Sequence, residues 1–113
     1  MKLFFNLTVF RDLAAAREVW ARYRDQPPYS AALGWRMLEL EQEAGDTHRA
    51  RLVLAWLCQH SGSEDPRTWL EAAALETRAG KPLEAAQLLA RAEASLKPEL
   101  KEKFAVLRDN AGL

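Results

Sequence analysis

A block that opens Leu40-Glu41, continues through Ala44-Gly45 and reaches Ala50 returns as Leu75-Glu76, Ala79-Gly80 and Ala85, a period of roughly 35 residues. Both copies then run apolar, Val53-Leu54-Ala55 in one and Leu88-Leu89-Ala90 in the other, and each begins near a tryptophan, Trp35 or Trp69. A partial third copy lies upstream, where Ala16-Arg17 and Val19-Trp20-Ala21 align with Ala50-Arg51 and Val53-Leu54-Ala55. Units of this length that recur in tandem cannot bury their apolar faces alone. They are expected to stack as helical hairpins.

The residues within the period agree on helix. Glycine and β-branched residues are few, and no alternating strand pattern occurs. Asp12 can cap a helix running to about Arg24, which Gln26-Pro27-Pro28 ends. Ser30 caps the next, with Leu33, Met37, Leu40 and Ala44 at helical spacing and Gly45 as its left-handed terminus. Asp46 starts the partner helix, whose stripe is Ala50, Val53, Leu54 and Leu57, and Ser61-Gly62-Ser63 stops it. Asp65 and Pro66 open another helix that closes at Gly80, and Pro82 opens its partner, with Ala85, Leu88, Leu89 and Ala92 inward. A terminal helix from Pro98 presents Leu100, Phe104 and Leu107.

The expected architecture is an all-α, right-handed helical-hairpin solenoid of about two and a half repeats with a C-terminal capping helix. Its parts are a partial repeat over 1–26, repeats over 30–60 and 65–96, and the terminal helix over 98–110. Ala44, Ala50, Ala73, Ala85 and Ala92 are expected on lines of close helix contact, with Trp35 and Trp69 filling gaps between hairpins.

Composition narrows the class further. With 113 residues, 49% of them apolar and 28% charged, the chain suits one folded domain. Sixteen basic residues are balanced by sixteen acidic ones, so overall charge gives no reason to expect a grip on nucleic acid. The lone Cys58 rules out an internal disulfide and fits a reducing compartment. Residues 1–10 superficially resemble a secretory leader, but the apolar run is broken, lacks a clear cleavage site and meets Arg11-Asp12. They read better as the tail of a helix whose beginning is missing, and the Asn6-Leu7-Thr8 sequon then carries no meaning.

Site chemistry is sparse. Cys58, His60 and His48 are too few for a zinc centre, and no second cysteine is present. Cys58 reads as a small residue at a helix surface or boundary, and His60 as a last-turn residue facing the helix dipole. Neither a nucleophile with an activating environment nor a glycine-rich phosphate loop can be assembled, so no catalytic, cofactor or metal residue is expected. Glu39 with Glu43 reads as a solvent face, and Asp65 as a cap. The remaining candidate is a ridge of cations, Arg17, Arg22 and Arg24 with Arg11, continued by Arg49 and Arg51, able to meet an acidic protein segment or an RNA backbone. Glu41 and Glu76 occupy equivalent positions and read as one recurring inter-helix contact.

The pattern resembles the half-a-TPR (HAT) repeat, in which a helix bearing Trp and, seven positions on, Glu pairs with a helix bearing Ala-Arg and later Arg-Ala. Trp69, Leu75, Glu76, Gly80, Arg91 and Ala92 carry the resemblance in the last repeat, and Trp35, Glu41, Gly45, Ala50 and Arg51 in the middle one. Glu41 falls one residue early, Trp56-Leu57 replaces Arg-Ala, Met37 and Ala72 stand for the usual tyrosine, and Ala86 stands where arginine is common. Ala16-Arg17 and Arg22 carry it in the first copy. The resemblance covers roughly residues 10–96. It implies a non-catalytic scaffold among protein subunits of a ribonucleoprotein complex, in ribosomal RNA processing and small-subunit biogenesis. Nuclear and nucleolar residence, indirect RNA association, no membrane and no small-molecule substrate go with that reading. The alternatives are a HAT subunit of splicing or mRNA 3′-end processing machinery, and a TPR-like cytoplasmic adaptor for peptides of chaperone or signalling partners.

Overall fold

The structure, a computed structural model, describes residues 12–113. The expectations for residues 1–11, including the helix tail and the place of Arg11 in the ridge, lie outside the described residues. The described chain is all-helical: α1 (Leu13–Tyr23), α2 (Ala31–Glu43), α3 (Thr47–Ser61), α4 (Pro66–Arg78), α5 (Pro82–Ser95), a 3-10 turn (Pro98–Leu100) and α6 (Lys101–Ala111). It divides into two compact units, one up to Val53 and one from Leu54, so α3 contributes to both.

In the first unit the caps act as their residue types require. The Asp12 carboxylate accepts from the N–H groups of Ala14 and Ala15 at 3.0 and 3.4 Å, and the Ser30 hydroxyl accepts from Leu33 N at 3.1 Å. α1 packs on α2, with Ala16, Trp20, Met37 and Leu38 buried. At the head of α3, Asp46 accepts from Arg49 N at 2.9 Å. Ala44, expected on a contact line, is exposed instead, because the helix has ended at Glu43 and Ala44 belongs to the turn. Leu33 and Leu40 are only half-buried.

In the second unit α4 runs alongside both α5 and α6. Trp69, Ala73, Leu89, Ala92 and Phe104 are buried, all with at most 6% exposure. Pro66 and Pro82 each start a helix, where the missing N–H removes no hydrogen bond. Asp65 caps α4 through Arg67 N at 3.0 Å.

The turn that closes a helix is the same object three times. Gly45 has φ 73°, donates to Gln42 O at 3.1 Å, and Asp46 N donates to Glu41 O at 3.0 Å. Gly80 has φ 76°, donates to Thr77 O at 3.1 Å, and Lys81 N donates to Glu76 O at 2.9 Å. Gly112 has φ 73°, donates to Asp109 O at 3.1 Å, and Leu113 N donates to Arg108 O at 3.1 Å. Each is a Schellman turn closed by Ala-Gly, in which glycine alone takes the left-handed backbone at little cost.

The terminal segment departs from the expected single helix over 98–110. Pro98 stands as far before Gly112 as Pro66 does before Gly80, so the two segments share a register. The residue before Pro66 is the capping Asp65, whereas Lys97 precedes Pro98 and offers no side-chain acceptor. Without that cap the first turn tightens into a 3-10 turn, with Leu100 N donating to Lys97 O at 2.9 Å.

Candidate functional site

Arg17 projects from α1 toward α2. Its Nε donates to Glu41 Oε2 at 2.9 Å and its Nη2 to Glu41 Oε1 at 2.7 Å, a bidentate pair, while Nη2 also reaches Asp46 Oδ2 at 3.3 Å. Glu41 is 2% exposed. The paired carboxylate raises the Arg17 pKa further, chiefly through the hydrogen bond, so the guanidinium is charged at any accessible pH. This is an internal tie between two helices, and it takes Arg17 out of the expected outward ridge.

The rest of the ridge is partly neutralised by acids. Arg49 lies 3.4 Å from Asp46, and Arg24 lies 3.4 Å from Asp25, both ion pairs in the open. Arg22 is exposed near the end of α1, and Arg51 is half-buried on α3. Exposed pairs of this type contribute little to stability, but their carboxylates offset part of the positive charge that a polyanion would meet.

The repeat residues of the second unit converge on one indole. Trp69 is 2% exposed; its Nε1 donates to Gly62 O at 2.8 Å, and the Arg91 guanidinium sits 5.3 Å from the ring centroid. A Cβ on Gly62 would meet Trp69 Cζ2 at 2.8 Å and Cys58 O at 2.1 Å, so only glycine allows this approach. Ala92 follows Arg91 and is fully buried, and Glu76 is 7% exposed. Ala50 is 1% exposed, and Trp35 is half-buried on α2.

Two residues missed by the sequence reading complete the second unit. Lys97 N donates to Ser63 O at 3.0 Å and Lys97 Nζ to Glu64 Oε1 at 2.6 Å, strapping the α3–α4 loop to the end of α5. That hydrogen bond lowers the Glu64 pKa and raises that of Lys97. Gly62 is the other. Its place seven residues before Trp69 was visible, but nothing in the sequence says that the indole folds back onto it.

Cys58 corrects its expected boundary position. It is 7% exposed, and its Sγ donates to Thr68 O at 3.8 Å. Burial pushes the thiol up to about 11, against smaller opposing effects of the Thr68 carbonyl contact and the Arg91 charge. His60 lies beside Trp56, with ring centroids 4.6 Å apart. His48 is exposed. Among the described residues no three His, Cys, Asp or Glu side chains are grouped as metal ligands would be. No described helix is long and apolar enough to cross a membrane.

Comparison with protein-family models, curated proteins and solved structures finds no match to the chain.

Proposed function

We propose that the chain is a non-catalytic protein-interaction scaffold, its hairpins stacked as a right-handed HAT-type solenoid within a ribosomal RNA-processing assembly. The observation that carries this reading is the recurrence of one Ala-Gly turn, at Gly45, Gly80 and Gly112, with the same hydrogen bonds each time. Tandem hairpins with a fixed turn present extended helical surfaces, which suit contacts with other macromolecules. The assignment to ribosome biogenesis rests on the sequence resemblance. Within the HAT family the chain looks most like the C-terminal end of the U3 small nucleolar RNA-associated HAT subunit of the small-subunit processome, through Pro28-Tyr29-Ser30, Leu33-Gly34-Trp35-Arg36-Met37 and Gly62-Ser63-Glu64-Asp65.

The buried Arg17–Glu41 tie supports a structural role for the recurring glutamate, and the engagement of Arg17, Arg24 and Arg49 by acids favours protein over RNA as the direct partner. Expression of the tagged protein tests the proposal. Nucleolar concentration with recovery of small-subunit precursor complexes is the expected result; diffuse cytoplasmic signal with chaperone co-purification overturns it in favour of a peptide-binding adaptor. Nucleoplasmic recovery with splicing or 3′-end processing subunits overturns the ribosomal assignment alone.

A further inference from the structure

The loop between α3 and α4 folds back beside Cys58. Gly62 N donates to Cys58 O at 3.1 Å, Gly62 O accepts from Trp69 Nε1 at 2.8 Å, and the Cys58 thiol faces Thr68 O at 3.8 Å. Thr68 Oγ1 in turn donates to Asp65 O at 2.9 Å. Gly62, Asp65 and the first turn of α4 are thereby linked into one wall beside Cys58, which is 7% exposed. Every one of these bonds is local in sequence. Lys97 ties the same loop from much farther away: 33 positions beyond Glu64, it holds Ser63 O through its backbone N–H at 3.0 Å and Glu64 Oε1 through Nζ at 2.6 Å. The Lys97 and Glu64 side chains are 47% and 66% exposed, so dissolved ions reach this tie while the thiol stays enclosed.

We propose that the Lys97–Glu64 pair is a salt-sensitive latch: when it opens, the Gly62–Asp65 loop lifts and uncovers the Cys58 thiol while the helices stay folded. An exposed ion pair is weak and is screened at high ionic strength. Short loops held by solvent-exposed bonds open locally at a lower free energy than the helices they join. The latch gives the chain a thiol that is shielded in the closed form and reactive in the open one. It goes beyond the scaffold reading and does not rest on it.

The test labels Cys58 of the folded full chain with iodoacetamide at about pH 8, each rate being divided by that of a small thiol in the same buffer. Local opening predicts a rate that stays level through low urea, because only openings that expose much surface respond to denaturant. Raising sodium chloride from about 0.1 to about 1 M is expected to speed labelling about two- to fivefold, the worth of an exposed pair. Glu64→Gln and Lys97→Met are each expected to label faster by a similar factor and to lose the salt dependence. Gly80→Ala, at the far end of α4 from the loop, lowers global stability and leaves the labelling rate unchanged. Labelling that climbs from the first additions of urea and is accelerated by Gly80→Ala runs through global unfolding and overturns the proposal. A rate indifferent to salt, or unchanged in Glu64→Gln, overturns it as well.

Discussion

Arg17 holds the buried carboxylate of Glu41 with two nitrogens, at 2.9 and 2.7 Å, across the α1–α2 contact. Both carboxylate oxygens of Glu41 are thereby satisfied in a position nearly closed to water, where a carboxylate without partners would be costly. The asymmetry of such pairs sets the first prediction. Arg17→Met strands the buried charge and lowers the thermal midpoint by several degrees. The double variant Arg17→Met with Glu41→Met recovers much of the loss, because apolar side chains of similar volume need no partner. Differential scanning calorimetry of both variants checks this, and a double variant less stable than the single one speaks against it.

The Gly62 site is sensitive to a single carbon. A Cβ there would lie 2.1 Å from a backbone carbonyl and 2.8 Å from the Trp69 ring, neither of which is the end of a flexible chain. Gly62→Ala is expected to destabilise the protein by about 2 to 3 kcal/mol, as overpacked interiors do. The Trp69 hydrogen bond to Gly62 O would be disturbed with it. Urea denaturation measures the loss, and Ser63→Ala, which removes only an exposed side chain, serves as the near-neutral control.

At the hairpin turns the limitation is backbone conformation, not space. Nothing lies within 4 Å of a Cβ on Gly45 or Gly80, yet φ is 73° and 76°. Alanine at either position should cost roughly 1 to 2 kcal/mol, the penalty of a left-handed residue with a side chain. Asparagine should cost less. Equal losses for Gly45→Ala and Gly80→Ala in chemical denaturation are the expected outcome, since the two turns share their geometry; a loss at one position only would contradict the equivalence.

What the sequence made legible was the part governed by local chemistry. Ser30, Asp12, Asp65, Pro66 and the turn glycines act on their immediate neighbours, so residue type and spacing identify their roles. Residues whose roles depend on distant partners were harder to read. Arg17 looks like any surface arginine until α1 is laid on α2, and the partner of Lys97 is a loop glutamate 33 positions away. The 3-10 start of the terminal segment is a third kind of case: Lys97 in place of a capping residue was visible, but its consequence appears only when the segment is set in register with α4. Cys58 was misread because one thiol on a helix carries no signal of which face it occupies; the packing of α4 against α3 through the Thr68 carbonyl decides it.

That burial gives Cys58 a measurable chemistry. Its thiol is raised from an ordinary 9.0 to about 11, chiefly by desolvation of the thiolate. At pH 8 the thiolate fraction is then lower by about 100-fold, and alkylation, which requires thiolate, slows at least in that proportion. Because the folded state holds its proton more tightly than the unfolded chain, the associated stability is present below about pH 9 and is lost as pH rises through about 11. The expected result is slow labelling by iodoacetamide at pH 8 in buffer and fast labelling in urea, with a native-state rate that climbs steeply toward pH 11. Cys58→Ser would place a hydroxyl against Thr68 O and make the decline in stability from pH 9 to 11 shallower than in the native protein, the Lys97–Glu64 pair still contributing its own loss at the upper end. Labelling in buffer as fast as in urea would mean that the thiol is not enclosed by the second unit.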